Sequence, residues 1–492
     1  MVREQFQMLI NGQWIDAKSG KTFESINPAT EQVWGEFPFA DANDVDDAVC
    51  SAHAAFESDE WRLMAASQRG KLLRKLGDLV GENKEKLAQL ESKDNGKLIR
   101  ETLGQVGYLP EFFYYYAGLA DKVEGETLSL DKADLFGYTV REPLGVIAGI
   151  IPWNSPLYLT AIKIAPALAT GNTVVLKPSE HASATLLELG KLALEAGFPA
   201  GVLNVITGYG LPCGDALTRH PLVKKIAFTG GSESAKHVIR NSAENYAKLS
   251  LELGGKSPNI IFNDADIDSA VNGAVAGIFA AAGQSCVSGS RLLVQEDIYE
   301  EFVSRLTERA ERIIVGDPSH IETEMGPMAT ASQLAIVERF VDIALTEGAK
   351  LRTGGKRADI QSGWFYTPTI LECNSNNDTL MQEEVFGPVA AIIPFKDEDE
   401  ALAMANDSKY GLAAGIWTQN LAKAHRMIKG IRSGIVWVNT YRAVSASAPI
   451  GGYGQSGYGR ECGIDSINEF TQIKTVWINT SSEPMADPFI MR

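Results

Sequence analysis

The sequence predicts an α/β fold in which helices flank parallel sheets, arranged in two domains. From residue 146 onward, short β-rich apolar runs alternate with amphipathic segments of helical length, which is the pattern of a parallel sheet. A second series of the same kind begins after residue 254. The chain has 492 residues, more than one hydrophobic core usually covers, so two large domains are expected.

The first 122 residues precede this alternation. Asn11 and Gly12 lie between the apolar segments 8–10 and 13–16, and this pair readily adopts the positive φ angles of a two-residue hairpin turn. Across 41–121, apolar residues recur every three to four positions in a charged background. We therefore predict an N-terminal β-hairpin followed by about three surface helices.

The first alternating series contains five predicted strands and three crossover helices. The strands are expected at 146–151, 173–176, 202–206, 225–228 and 249–253, and the helices at 157–169, 182–196 and 232–242. The strands end in Gly, Pro or Thr, where a ligand can approach the backbone. This sheet is predicted to end near Glu252.

The second series carries Cys286. Its strands are expected at 259–261, 388–393 and 434–439, and its helices at 266–282, 298–315 and 332–346. A last strand is predicted at 473–478. The polar tail 479–492 that follows is a candidate cover for an edge of a neighbouring subunit.

Composition and charge narrow the class of partner. The formal net charge of -17 and the pI near 5.0 give a surface that on average repels phosphate backbones and anionic lipid. No apolar run approaches the roughly 18 residues of a membrane span, and no secretory signal begins the chain. We expect neither nucleic acid nor membrane partners, and a cytoplasmic location.

The cysteines and histidines give no sign of a metal site. The five cysteines are odd in number, far apart and never spaced as CxxC, and the six histidines show neither HxxxH nor HExxH spacing. We expect reduced thiols and no bound metal. The cysteines are Cys50, Cys213, Cys286, Cys373 and Cys462.

Three segments carry residues suited to thiol chemistry. In 283–291 (GQSCVSGSR), small neighbours leave Cys286 accessible, although free cysteine is more often buried and inert. In 252–258 (ELGGKSP), flanking leucines desolvate Glu252 and favour a general base over a solvated turn residue. In 151–156 (IPWNSP), prolines restrict Asn154, whose amide serves either a turn or an oxyanion.

Together these segments resemble the aldehyde dehydrogenase superfamily, in its NAD(P)-dependent, hydrolytic type. The resemblance extends over nearly the whole chain. Further segments that match in family order are 176–180 (LKPSE), 228–232 (FTGGS), 384–389 (EVFGPV), 410–412 (YGL), 451–453 (GGY) and 456–461 (SGYGRE).

The resemblance implies an oxidoreductase that converts an aldehyde to a carboxylic acid, with Cys286, Glu252 and Asn154 as catalytic residues. The Cys286 thiolate would attack the aldehyde, and the Asn154 side chain and the Cys286 N–H would hold the thiohemiacetal oxyanion. After hydride transfer to the cofactor, water activated by Glu252 would cleave the thioester.

The same resemblance implies NAD as cofactor, with NADP as a secondary possibility. Glu180 would bind the adenosine ribose and repel the extra phosphate of NADP, whereas Lys177 would attract it. A helix starting near Ser232 would offer N–H groups to the pyrophosphate, although Gly231 replaces the serine usual in the family. The implied cofactor-binding residues are Lys177, Glu180, Trp153, Gly210, Gly230, Gly231, Ser232, Glu384 and Phe386.

The substrate pocket is expected to be less aromatic than in members that act on small aldehydes. We hypothesise a bulky or long apolar aldehyde, with Leu159 and the aromatic run 112–116 near the entrance; that run is equally typical of a helix core. The candidate pocket residues are Ser155, Tyr158, Ile162, Ser285, Val287 and Ile450.

Alternative functions remain open on this fold. A CoA-acylating aldehyde dehydrogenase would pass the thioester to a thiol, and Glu252 argues against it because a base that activates water destroys the thioester. A non-catalytic binding or structural protein is the alternative from another class. A thiol hydrolase is less consistent, since no histidine lies near Cys286 in the sequence.

The resemblance also implies the domain organisation. A Rossmann-like cofactor domain would comprise 1–122 and 143–253, and a catalytic domain would comprise 254–470. A small β oligomerisation element would comprise 123–142 and 471–492. Because this element extends into a partner subunit in such proteins, a homodimer or homotetramer is expected.

Overall fold

The apolar strand series of the sequence form two large sheets, accompanied by three small ones. The structure is a computed structural model, and it describes residues 3–485 and 487–490. Helices alternate with mainly parallel strands in both large sheets. The predicted α/β fold class is therefore confirmed.

The first large sheet has eight strands. Strands Val146–Ile151 and Thr173–Pro178 lie at its centre and are almost wholly buried, as expected of a parallel sheet covered on both faces. The predicted hairpin forms one edge, with Asn11 and Gly12 at φ 52° and 71°. In spatial order the strands are Gly457–Tyr458, Lys248–Glu252, Val223–Thr229, Val146–Ile151, Thr173–Pro178, Leu203–Val205, Met8–Ile10 and Gln13–Ile15.

The helices around this sheet include one that is buried almost throughout. Helix Pro156–Ala169 contacts both central strands and helix Ile99–Leu119, and its apolar composition follows from that position. The helices of this part are Ala42–Glu57, Asp59–Arg62, Ala66–Glu82, Lys84–Asn95, Ile99–Leu119, Pro156–Ala169, Ala184–Ala196, Asp215–Arg219 and Ser232–Asn245.

Five of these helices occupy the stretch where about three were predicted. Ser58 ends one helix and its side chain caps the next, accepting from the backbone N–H of Trp61. Gly96 ends another helix at φ 78°. Such caps end one helix, while apolar residues continue to recur every three to four positions in the next. Periodicity alone therefore predicts too few helices.

The second large sheet has seven strands, of which only Lys350–Thr353 is antiparallel to its neighbour. The middle strand, Arg291–Gln295, was not predicted, because its short apolar run directly follows the Cys286 segment. In spatial order the strands are Lys350–Thr353, Thr369–Glu372, Val389–Phe395, Arg291–Gln295, Pro258–Ile261, Ala413–Trp417 and Ile435–Val438.

The helix predicted at 266–282 ends earlier, at Ile278. Ala281 and Ala282 adopt φ angles of 53° and 51°, which break the helix and turn the chain toward Cys286. The helices of this part are Ile267–Ile278, Tyr299–Glu311, Ala331–Thr346, Thr379–Gln382, Glu398–Asn406, Leu421–Gly430 and Asp465–Glu469. Within the described ranges, no helix has both the length and the apolar character needed to cross a membrane.

Three small sheets complete the fold. One of them, called the bridging sheet below, joins Thr127–Leu128, Leu135–Pro143 and Thr471–Asn479. The second joins Glu4–Gln5, Gln32–Pro38 and Thr22–Asn27, and the third joins Tyr410–Gly411 and Tyr453–Gly454.

The first large sheet does not end with Glu252 in the way the sequence predicts. Strand Gly457–Tyr458, more than 200 residues later in the chain, pairs antiparallel with Lys248–Glu252. Gly457 lies opposite Glu252 in this pairing. The C-terminal part of the chain therefore closes the sheet beside the predicted base, a long-range pairing that local sequence patterns do not encode.

Candidate active site

The predicted base and oxyanion donor lie at the carboxyl edge of the first large sheet. Glu252 is the last residue of its strand and pairs with Thr229, the last residue of the neighbouring strand. Asn154 follows the next strand, Val146–Ile151. Ligands of open α/β sheets bind at this edge, because the strands there end in loops that leave a crevice.

The predicted nucleophile comes from the second sheet. Cys286 lies in a turn before strand Arg291–Gln295, and the loop carrying Glu384 precedes the adjacent strand Val389–Phe395. The two loops touch at Gly283, where a Cβ would lie 2.0 Å from the Gly387 carbonyl oxygen. Gly283 also has a φ of 71°, so glycine is required for this approach on two counts.

Two cavities meet at these residues. One has a volume of about 330 Å³ and the other about 390 Å³. The residues that line both are Asn154, Leu159, Thr229, Glu252 and Cys286. The three predicted catalytic residues therefore stand together at a junction that a ligand can reach from either side.

The amide of Asn154 is oriented by its neighbours. Its Nδ2 donates to the backbone carbonyl oxygen of Gln284 at 3.0 Å. Lys97 Nζ holds the backbone of Asn154 by donating to its main-chain carbonyl oxygen at 3.4 Å. One N–H of the amide remains for a ligand. The Cys286 N–H has no acceptor among the described residues, so two donors are available for an oxyanion.

The Cys286 thiol is half-buried, and its surroundings disfavour the thiolate. Burial is the main cause that raises the pKa of Cys286 to about 12; the nearby Glu384 and Glu252 carboxylates contribute to this rise, and Arg442 opposes it. The thiol is therefore protonated at neutral pH in this arrangement. Attack on a carbonyl requires that a neighbouring group accept its proton.

Glu252 is 6 % exposed, and its Oε1 has no hydrogen-bond partner among the described residues. Burial raises its pKa well above 4.5, and the adjacent Glu461 carboxylate raises it further. A buried carboxylate with a free oxygen beside a thiol is suited to accept a proton from water near neutral pH.

A buried ion pair adjoins Glu252, and the sequence analysis missed it. Lys163 Nζ lies 2.7 Å from Glu461 Oε1 and donates to Thr229 Oγ1 at 2.6 Å. Both charged side chains are 2 % exposed. Lys163 is the only charged residue in the otherwise apolar helix Pro156–Ala169, which is the signal that would have identified it.

The cavity of about 330 Å³ holds five of the predicted cofactor residues: Trp153, Gly230, Gly231, Glu384 and Phe386. Glu384 Oε1 accepts from the Gly255 N–H at 3.0 Å, and a Cβ on Gly254 would lie 1.9 Å from its Oε2. Glycine at 254 therefore makes room for this carboxylate. Burial raises the pKa of Glu384 to about 7.

Ser232 is the first residue of helix Ser232–Asn245, as predicted, and Gly231 is its N-cap. No side chain caps this helix, so its first backbone N–H groups are free at the rim of the cavity. Free N–H groups at a helix N-terminus suit an anion such as a pyrophosphate.

The remaining predicted cofactor residues lie farther along the same sheet edge. Lys177 Nζ is buried, donates to the Pro178 carbonyl oxygen at 2.6 Å and lies 3.9 Å from Glu180 Oε2. Gly210 begins the turn Gly210–Gly214, which packs on the Lys177 side chain. Glu180 lines a third cavity, of about 250 Å³.

The cavity of about 390 Å³ brings all six predicted pocket residues together: Ser155, Tyr158, Ile162, Ser285, Val287 and Ile450. The structure adds residues that were not predicted from the sequence, and four of them are aromatic or charged: Tyr108, Trp437, Arg442 and Glu461. They come from a helix, a strand and loops that are distant in the chain, and no local pattern sets them apart.

The aromatic run 112–116 does not line this cavity. Phe112, Phe113 and Tyr116 are fully buried in the core, which agrees with the helix-core interpretation. Phe112 packs edge-on against Tyr158 at 5.4 Å and against Tyr108 at 5.5 Å. The run supports the aromatic lining from behind, and of the two interpretations its burial favours the helix core.

Asp46, Cys50 and His220 are the only described residues that bring three potential metal ligands together, with ligand atoms within 4.8 Å of one another. His220 Nδ1 accepts from the Leu222 N–H at 3.2 Å, and its Nε2 lies 3.2 Å from Asp46 Oδ1. Both ring nitrogens of His220 therefore have hydrogen-bonding partners within the protein.

Comparison with known proteins agrees with this geometry. Residues 14–476 match the Aldehyde dehydrogenase family. The chain is 54% identical over 490 residues, 99% of this chain and 100% of the other, to (Z)-2-((N-methylformamido)methylene)-5-hydroxybutyrolactone dehydrogenase of Acinetobacter baylyi. It is 43% identical over 477 residues to betaine aldehyde dehydrogenase of Bacillus subtilis, covering 96% and 97% of the two chains.

A solved structure is equally similar. The crystal structure of betaine aldehyde dehydrogenase from Staphylococcus aureus in complex with NAD+ superposes with a TM-score of 0.97 at 39% identity, covering 99% of this chain and 97% of the other. The predicted enzyme class, an oxidoreductase that oxidises an aldehyde to the carboxylic acid, is confirmed. The chain belongs to the aldehyde dehydrogenase family.

Proposed function

We propose that Cys286 is the nucleophile, Glu252 the general base and Asn154 the oxyanion donor of this aldehyde dehydrogenase. The observation that carries the proposal is that the two cavities meet at these three side chains. One cavity receives the aldehyde and the other receives the reacting end of the cofactor.

NAD is the cofactor, and the residues present fit it. The uncapped start of helix Ser232–Asn245 suits the pyrophosphate, and Gly230 and Gly231 leave the backbone open beside it. Trp153, Glu384 and Phe386 bound the space for the nicotinamide end. The relative from Staphylococcus aureus was crystallised with NAD+, and bound NAD supplies the two-electron oxidant of the reaction.

The adenosine end of the cofactor would lie near Lys177, Glu180 and Gly210. Glu180 is half-buried with its carboxylate 3.9 Å from Lys177 Nζ, so a hydroxyl-bearing ribose fits better than a second phosphate. NADP is expected only as a secondary cofactor, because Lys177 is partly neutralised by Glu180.

In the first half of the reaction, the Cys286 thiol gives its proton to a neighbouring carboxylate, Glu384 or Glu252, its sulfur bonds to the aldehyde carbon, and the carbonyl oxygen becomes an oxyanion. Asn154 Nδ2 and the Cys286 N–H donate to that oxygen. Oxidation of this thiohemiacetal by two electrons, with loss of the hydrogen on carbon, gives a thioester on Cys286.

In the second half, Glu252 accepts a proton from water, which attacks the thioester carbon and releases the acid and the thiol. The ion pair of Lys163 and Glu461 tunes the pKa of Glu252. Glu461 raises this pKa, and Lys163, which donates to Thr229, lowers it. This balance keeps Glu252 able both to take up and to release a proton.

The substrate is an aldehyde that also carries a carboxylate. The relative from Acinetobacter baylyi is named for a 5-hydroxybutyrolactone, and such a ring is the closed form of an aldehyde with a carboxylate on the same carbon chain. Arg442 in the larger cavity supports this class. The wholly apolar aldehyde predicted from the sequence is the competing class.

The test is NAD reduction by the purified protein with a graded set of aldehydes. Cys286→Ala is expected to abolish turnover, whereas Cys50→Ala, which removes an exposed cysteine, is the matched control and should retain it. Product analysis with and without CoA distinguishes a free acid from an acyl-CoA. No reduction with any aldehyde would favour the non-catalytic binding protein, and acyl-CoA as the product would overturn hydrolysis by Glu252.

The protein acts as a homo-oligomer, a dimer or a tetramer. The bridging sheet exposes several large apolar side chains, among them Ile473 and Trp477 at 59% and 57%. Monomeric proteins seldom leave such a group on one small sheet, so a second copy is the proposed cover.

The chain divides into a cofactor domain of 1–122 and 143–253, a catalytic domain of 254–470 and a bridging element of 123–142 and 471–492. The two large sheets and the bridging sheet support this division, apart from strand Gly457–Tyr458, which pairs with the first large sheet. Location in the cytoplasm is supported by the five free cysteines, because a reducing compartment keeps the Cys286 thiol available.

A further inference from the structure

Arg442 is the one cationic residue in the lining of the larger cavity. Its Nη1 donates to the carbonyl oxygen of Ala276 at 3.2 Å, in the last turn of helix Ile267–Ile278. Among the described residues no carboxylate forms an ion pair with it; of the two carboxylates in the same lining, Glu461 is paired with Lys163, and the other is Glu252. A guanidinium has five N–H donors, so this contact fixes its position and leaves donors for a ligand.

The backbone that carries Arg442 is held firmly against the Cys286 segment. Tyr441 donates through its hydroxyl to the Val287 carbonyl oxygen at 3.0 Å. Its ring lies where side chains at Gly289 and Gly415 would clash, since a Cβ there would stand 2.9 Å and 2.6 Å from Tyr441 atoms. Arg442 itself has a φ of 63°, a conformation that is costly for a residue with a side chain and persists where surrounding contacts impose it.

Two other polar side chains of the same lining, Gln105 and Ser155, have hydrogen-bond donors left for a ligand because of Lys97. The Lys97 ammonium donates to Gln105 Oε1 at 2.5 Å and to Ser155 Oγ at 2.8 Å. Both acceptors are thereby occupied, which leaves the Gln105 amide N–H groups and the Ser155 hydroxyl hydrogen to donate elsewhere. Both side chains line the cavity, whereas Lys97 is itself paired with the buried Glu91 at 3.7 Å.

We infer that Arg442, with Gln105 and Ser155, forms a carboxylate-recognition site that selects aldehydes bearing a second, anionic group. The inference deepens the proposed function and rests on it. The rest of the lining combines aliphatic side chains, among them Leu159, Ile162 and Val287, with Tyr108, Tyr158, Trp437 and the carboxylates of Glu252 and Glu461. The aliphatic part suits the carbon chain between the aldehyde and the carboxylate. Arg442 is thus a specificity-determining residue, and its positive charge also lowers the pKa of the Cys286 thiol.

Matched pairs of substrates test this directly: 4-oxobutanoate against butanal, and 6-oxohexanoate against hexanal. The wild type is expected to prefer the oxo acid of each pair in kcat/KM. Arg442→Gln should lower kcat/KM for the oxo acids by about 10- to 100-fold, the loss of one charge-assisted hydrogen-bonded contact. The loss should appear mainly in KM. The readout is the ratio of kcat/KM between the two members of each pair, because Arg442 also lowers the pKa of Cys286 for every substrate.

Arg442→Lys should restore part of the preference, because an ammonium keeps the charge and loses the planar fork. Arg432→Gln is the matched control, since Arg432 is exposed and lies outside the cavity lining. Equal losses for oxo acids and neutral aldehydes in Arg442→Gln, or no preference in the wild type, would overturn the inference.

A second measurement needs no turnover. Succinate and glutarate should slow the alkylation of Cys286 by iodoacetamide in the wild type, followed by mass spectrometry of the Cys286 peptide, and should not do so in Arg442→Gln. Protection without any aldehyde oxidation would uphold the carboxylate site and refute the proposed function. Oxidation without protection or preference would refute the carboxylate site alone.

Discussion

Cys286 and Glu252 lie in a cavity that disfavours the charged forms of both. Burial is the largest cause of the raised pKa of each residue. The Glu384 carboxylate adds to the shift at Cys286, and the Glu461 carboxylate adds to the shift at Glu252. In the resting protein the thiol is protonated, and the base holds its proton more tightly than an exposed glutamate does. Both groups therefore respond to pH and to the loss of one neighbouring carboxylate.

Glu252→Gln separates the two halves of the reaction. Glu384 can still accept the thiol proton, so the thiol attacks and is oxidised. We therefore expect a burst of about one reduced NAD per active site, followed by steady turnover at least about 100-fold slower than in the wild type. Stopped-flow absorbance measures both phases. The exposed Glu57→Gln is the control, and a variant that lost the burst as well would show that Glu252 also acts before the thioester forms.

Alkylation of Cys286 should report its raised pKa. Because the thiolate is the reacting form, the rate with iodoacetamide should keep rising above pH 9 and not level off there, as the pKa of about 12 requires. Glu384→Gln removes the carboxylate that contributes most to the shift after burial, so it should lower this pKa and speed alkylation at pH 8. A plateau near pH 9 in the wild type would contradict this account.

At the scale of elements, the segment that links the two large sheets contains a buried residue whose charge opposes folding. Lys256 lies between strands Lys248–Glu252 and Pro258–Ile261, is 1% exposed, and its Nζ has no hydrogen-bond partner among the described residues. The pKa of Lys256 is lowered to about 8. Burial is the main cause, and the neighbouring Arg291 contributes to the same shift. Keeping this amine charged below that pH works against folding.

Lys256→Met should raise the free energy of unfolding at pH 7, by on the order of 1–3 kcal/mol, since an apolar side chain of similar length fills the same space. The unfolded chain binds more protons at Lys256 between pH 8 and 10.5, so wild-type stability rises with pH in that window and the advantage of the variant shrinks. Denaturant unfolding at pH 7 and pH 10 measures this, with the exposed Lys71→Met as control. Equal destabilisation at both values would show that Lys256 makes a favourable contact.

At the scale of the whole molecule, the bridging sheet leaves large apolar side chains exposed to solvent. Strand Thr471–Asn479 pairs with Leu135–Pro143 on one side only. Its exposed side chains include Ile473 and Trp477, which lie two alternations apart and so share a face. A partner subunit is the simplest way to remove both the open edge and the apolar face from water.

Replacing Ile473 and Trp477 together by Glu should therefore reduce the molar mass found by light scattering by at least half, because two buried carboxylates are incompatible with an apolar contact. Lys474→Gln, on the other face of the same strand, is the control and should leave the mass unchanged. A wild-type protein that is monomeric at micromolar concentration would contradict the proposed oligomer.

Much of this molecule was predictable from local sequence. The hairpin at Asn11 and Gly12, strand Val146–Ile151 and the start of helix Ser232–Asn245 all follow from turn residues, apolar runs and periodicity, which act over a few neighbours. The family followed from ordered motifs. Because motif residues are also the ones that line the cavities, most of the candidate site came with them.

Only the tertiary structure brought in the residues that have no local signature. Glu461 and Lys163 meet beside Glu252 although they are nearly 300 residues apart, and Arg442 reaches the cavity from a loop that resembles any other. The strand Gly457–Tyr458 joined the first sheet for the same reason. Sequence periodicity indicates which face of an element is buried, whereas packing decides which residues lie opposite that face. Packing therefore sets the charge around Glu252 and the shape of the aldehyde pocket.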